Sequence, residues 1–69
     1  MTDEVRGEIR RRAALAHSEQ DMGQVIFDAL KATDVNWRKV TAEEAKPMLV
    51  EALRVHRQTV GRNLMHKAG

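Results

Sequence analysis

Residues 22 to 30 read Met22-Gly23-Gln24-Val25-Ile26-Phe27-Asp28-Ala29-Leu30, and this stretch decides the fold class. Met22, Val25, Ile26, Ala29 and Leu30 stand at i, i+3, i+4, i+7 and i+8, the spacing that gathers apolar side chains on one face of an α-helix. No alternating apolar and polar run of useful length occurs elsewhere, and helical spacing recurs on both sides of this stripe, so the chain reads as all-α. The helix is expected over about residues 19 to 32, with Ser18 and Asp21 in the S-x-x-D spacing of a start signal. Phe27 lies off the stripe, where an aromatic side chain either covers a second helix or meets another chain.

Towards the N-terminus, Val5, Ile9, Ala13 and Ala16 fall within an arc of about 80°, a narrow stripe of mostly small residues. A first helix is expected over about residues 3 to 17, capped by Thr2 or Asp3, and His17-Ser18 marks either its end or a bend in one longer helix. On the other side, residues 33 to 40 lose the period and mix turn formers with Val35, Trp37 and Val40, which predicts a connecting loop or a single helical turn. Thr41-Ala42-Glu43-Glu44 is then a capping box, with Val40 and Ala45 in staple positions. Pro47 lacks the amide that would bond the Glu43 carbonyl, so a kink or a division of the helix is expected there. Beyond it Leu49, Leu53, His56, Val60 and Leu64 lie within about 80°, with Met48 and Ala52 beside them, and the helix is expected to run through Gly61 to about residue 66. The expectation is a small three-helix bundle forming one domain over residues 1–69. Its third helix, about 42 to 66, is kinked or in two parts at Pro47, and Ile26, Leu30, Leu49 and Leu53 supply the main core.

Composition narrows the function. A 69-residue chain hides only about 60% of its unfolded surface on folding, and without cysteine no disulfide supplements so small a core. Stability then has to come from helix packing, self-association or a partner. Ser18 is the only serine and adjoins His17, which on a helix aims the two side chains about 100° apart rather than at each other. His17, His56 and His66 form no H-x-x-x-H pattern, so neither a metal nor another cofactor is expected, and His56 reads as a core or boundary histidine. Gly7, Gly23, Gly61 and Gly69 are isolated, which leaves no phosphate-cradling loop. The chain is therefore not expected to be an enzyme. No apolar run approaches the ~18 residues of a membrane span, and Thr2, Asp3 and Glu4 do not resemble a signal peptide, so a cytoplasmic protein is expected. Its size and composition suit a bacterial or phage source.

Charge is unevenly placed. Residues 1 to 30 carry a net −2 and residues 31 to 69 a net +4, and no acid follows Glu51. Arg54, Arg57, Arg62 and Lys67 make the last segment a basic element whose field attracts an anionic partner. The Arg10-Arg11-Arg12 run, with Glu4 and Glu8 one turn behind it, reads instead as a solvated face. Two binding classes remain. One is a DNA-binding regulator using Arg54, Arg57, Arg62 and Lys67, although neither Gly23 nor Gly61 sits in the tight turn of a helix-turn-helix reader. The other is a small adaptor that binds a partner protein, with an acidic partner surface suited to Arg54, Arg57 and Arg62. In that reading Phe27 is a contact, and Trp37, flanked by Arg38 and Lys39, is either an interface anchor or a lid on the open end of the core.

Several residues also carry a likeness to a known family. Asp3, Val5 and Ile9 in the first helix, Met22 and Val25-Ile26-x-Asp28-Ala29-Leu30 in the second, and Glu51-x-Leu53-Arg54-x-His56-Arg57-Gln58 in the third occur in the family's order. On these positions the chain resembles the theta accessory subunit of bacterial DNA polymerase III. That resemblance implies a three-helix protein that binds and stabilises a proofreading exonuclease subunit. The chain departs from the family in its longer Ala32 to Val40 connection and in Pro47 within the third helix.

Overall fold

Thr2 starts the first helix. In the computed structural model, which describes residues 1–68 and the side chains as far as Gly61, its hydroxyl accepts a hydrogen bond from the Val5 amide at 3.3 Å and opens α1, Asp3–Leu15. Asp3 and Glu4 stand in the first turn, where the helix dipole favours acids. The chain then leaves helical geometry at Ala16 (ψ 149°) and Ser18 (ψ 163°), so residues 3 to 32 form two helices and not one bent one. Ser18 makes no side-chain capping bond, and Glu19–Asp21 wind as a 3₁₀ turn before α2, Met22–Ala32. The S-x-x-D spacing therefore does not start the α-helix. With no side chain to satisfy the free amides, the first turn tightens into the i→i+3 pattern, and the Asp21 amide donates to the Ser18 carbonyl at 3.2 Å.

α2 stops in a Schellman motif. The Val35 amide donates to the Leu30 carbonyl at 2.9 Å and the Asp34 amide to the Lys31 carbonyl at 3.2 Å. Asp34 takes the left-handed conformation (φ 58°) that usually falls to glycine, which an Asp tolerates better than most residues. The connection continues as a 3₁₀ turn, Trp37–Lys39, whose Asn36 side chain accepts from the Arg38 amide at 3.1 Å. Thr41 then caps α3, Ala42–Ala68: its hydroxyl accepts from the Glu44 amide and donates to the Glu44 carboxylate, both at 3.2 Å.

α3 passes through Pro47 as one element, which removes the two-part alternative. Pro47 and Glu43 are both exposed, so the carbonyl that loses its amide partner faces water, where an unmade bond costs least.

The core draws on all three helices. Val5, Ile9 and Ala13 of α1 meet Met22, Val25, Ala29 and Leu30 of α2 and Met48 and Ala52 of α3, with Ile26, Val35, Leu53 and Val55 packed at the margin. The third-helix stripe is turned from the expected one. Leu49 is 42% exposed and Val60 40%, while Met48, Ala52 and His56 are buried. Ala13, Ala29 and Ala52 are fully buried in one cluster, and helices meeting through alanines approach too closely to admit a leucine at that position. Leu64 belongs to the expected stripe but lies outside the described side chains.

At about 1.5 Å per residue α3 is roughly 40 Å long against roughly 20 Å for α1, so it outruns its neighbours, and the molecule measures 45 × 19 × 17 Å. Its accessible surface of 5285 Å² exceeds the roughly 4,400 Å² typical of its mass. α1 packs more extensively on α3 than α2 does. The fold is an all-α three-helix bundle with no strand among the described residues. None of its described helices is long and apolar enough to cross a membrane.

Ile9→Ala is expected to cost about 2–5 kcal/mol and Leu49→Ala about 1 kcal/mol or less, measured by urea denaturation at matched m-values. Thr41→Ala should lower stability by about 1 kcal/mol while Thr41→Ser leaves the midpoint nearly unchanged.

Candidate protein interface

The two aromatic residues meet. Phe27 projects from the middle of α2 away from the core, and the 3₁₀ turn after the Schellman motif swings Trp37 back to it, with ring centroids 5.3 Å apart at 64°, an edge-on pair. Each ring also carries a cation: Lys31 Nζ lies 5.3 Å from the Phe27 centroid and the Arg38 guanidinium 5.4 Å from that of Trp37. Trp37 is 46% exposed. Its inner side lines a recess of about 200 Å³ with Leu30, Val40 and Ala45, so it partly closes the end of the bundle while its outer side meets solvent. Lys31 was not among the sequence candidates; its i+4 spacing from Phe27 is the signal that places it there.

The basic residues do not join this pair into one patch. Arg57 lies twelve residues beyond Ala45, about 18 Å along α3. Its Nε donates to Glu19 at 2.7 Å across 38 residues of sequence, a pairing no local spacing reveals. That hydrogen bond, with the charge of the guanidinium, holds the Glu19 carboxyl below the usual carboxylate range and raises Arg57. Glu51, the last acid of the chain, reaches Arg10 of α1 at 3.6 Å. Arg54 is exposed, and Arg62 and Lys67 lie outside the described side chains.

The arginine run is not simply solvated. Glu8 accepts from Arg11 at 2.7 Å and lies 3.1 Å from Arg12, and the Arg11 hydrogen bond lowers its carboxyl. Arg10 straps α1 to α3. His56 is 4% exposed, and its Nδ1 has no hydrogen-bond partner among the described residues. Among the described residues no group of three His, Asp or Glu is placed to hold a metal ion.

Comparison of the chain with protein-family models, with curated proteins and with solved structures gives no match.

A depressed carboxyl stabilises the fold above its unfolded-state range, and that contribution is lost as pH falls through the folded-state value. In Arg57→Gln the Glu19 carboxyl should therefore titrate at higher pH than in the parent, read by carbon-detected NMR. An unchanged titration would show that the pair does not form in solution.

Proposed function

We propose that this chain is a non-catalytic, cytoplasmic helical adaptor or accessory subunit that binds and stabilises a partner protein. The observation that carries this reading is the Phe27–Trp37 pair, a half-exposed aromatic anchor whose two rings are each faced by a cation. Aromatic and arginine side chains dominate interface energetics because they bury large rigid surfaces with few rotatable bonds. The cations favour an acidic partner surface and speed its encounter. A bundle with more exposed surface than its mass predicts also gains stability when a partner covers part of it. The likeness to the theta subunit of DNA polymerase III points the same way and names a proofreading exonuclease as the kind of partner. The alternative, DNA binding through Arg54, Arg57, Arg62 and Lys67, is weakened because Arg57 already serves Glu19.

The test is affinity purification from cells that produce the protein, followed by kinetics on the captured partner. Trp37→Ala should speed dissociation about tenfold or more, and Arg54→Gln should chiefly slow association at low salt. Unchanged dissociation of Trp37→Ala would contradict the anchor. Salt-dependent binding to random duplex DNA, lost in Arg54→Gln, would favour the alternative.

A further inference from the structure

α3 carries a second apolar strip that the bundle does not use. Once Met48, Ala52 and His56 face the core, Leu49, Leu53 and Val60 fall along one flank at i, i+4 and i+11, with Leu49 and Val60 well exposed. Ion pairs fix which flank this is. Glu51 on the opposite side is drawn to α1 by Arg10, whereas Arg57, beside Leu53 and Val60, is drawn to Glu19 at the entry to α2. The strip thus runs along the outer side of the α2–α3 seam, the less extensively packed of the two seams α3 makes.

Two recesses mark the ends of this seam. One is the space of about 200 Å³ under Phe27 and Trp37, where Gly23 and Ala45 form part of the lining. The other, about 460 Å³, is lined by His56, Arg57, Val60 and Gly61 of α3 with His17 and Glu19. Ala45 and Val60 are about 22 Å apart along α3, four turns of helix. At both ends a glycine removes bulk that the fold does not require removed: a Cβ on Gly23 or on Gly61 would meet nothing within 4 Å, and neither residue has a positive φ. The far recess also holds His56, a buried imidazole whose Nδ1 has no partner among the described residues.

We infer that this seam is a docking groove for an amphipathic α-helix with acidic flanks, presented by a partner protein. The inference rests on the adaptor reading and adds the form and charge of what is bound. Length favours a helix, since an apolar strip of about three turns from Leu49 to Val60 with a hollow at each end matches an apolar stripe repeating at i, i+3, i+4 and i+7. Charge sets its flanks. Lys31 and Arg38 rim the aromatic end and Lys46 stands one turn from Leu49 and Val50, while at the far end Arg57 and the lip acid Glu19 offset each other. A second copy of this chain laid on the groove would set these cations against their own kind.

The probes are two synthetic helical peptides of about 18 residues with the same leucine stripe, one flanked by glutamate and one by lysine, titrated into the isotope-labelled full chain at low salt. The glutamate peptide should bind at least about tenfold more tightly and shift the amides of Gly23, Phe27, Leu49, Leu53 and Val60. Leu49→Glu, a change at an exposed position, should weaken it at least about tenfold with the melting temperature retained. Equal affinity for the two peptides, or no binding of either, would overturn the groove. Shifts confined to Phe27 and Trp37 would overturn it too while leaving the aromatic anchor intact, which the Trp37→Ala kinetics test separately. Groove shifts that depend on protein concentration without peptide would assign the seam to a second copy and overturn the proposal.

Discussion

Everything in this bundle depends on how closely three helices approach at Ala13, Ala29 and Ala52. All three are fully buried in one cluster with Ile9 and Met22, the largest side chains sealed there. Packing at alanines brings backbones near and leaves little volume to fill, which suits a chain too short to build a thick core. The same closeness sets the rotation of α3, because the position at the closest approach takes an alanine, and Ala52 lies on the Met48-Ala52-His56 face and not on Leu49-Leu53-Val60. One choice of face therefore produces both the core and the exposed strip.

How much of this is legible in the sequence follows from the range of each interaction. The helical class, the α1 and α2 stripes and the Thr41 cap are local patterns, and the all-α bundle they predict is the fold observed. The face of α3 is not local. Its apolar residues form two overlapping stripes, and hydrophobicity alone ranks the leucines above Ala52, whereas the size of the residues on the other two helices decides the contest. Ser18 misleads for a related reason: its spacing to Asp21 fits a capping box, yet the extended backbone at Ala16 and Ser18 turns the chain through a 3₁₀ turn first.

The candidate site divides in the same manner. Phe27 and Trp37 stand out one by one as aromatics in a chain with few, but their edge-on contact depends on a Schellman motif closed by a left-handed Asp34. The Arg57–Glu19 and Arg10–Glu51 pairs join distant segments and redistribute the basic field that a linear charge count assigns to the C-terminal helix. Lys31 and Arg38 stand at the aromatic pair and Lys46 beside Leu49, so exposed apolar side chains and cations share this side of the bundle. Such surfaces bind because apolar contact supplies affinity and charge selects the partner.

α3 turns Ala52 inward and Leu49 outward. The natural chain has no cysteine, so single thiols placed at these two positions report their environments without interference. Under native conditions Leu49→Cys should react with a thiol reagent at close to the rate of a free peptide, and Ala52→Cys should react about a hundredfold or more slowly, gated by opening of the bundle. Comparable rates at the two positions, or faster reaction at 52, would contradict the packing on which the whole account stands.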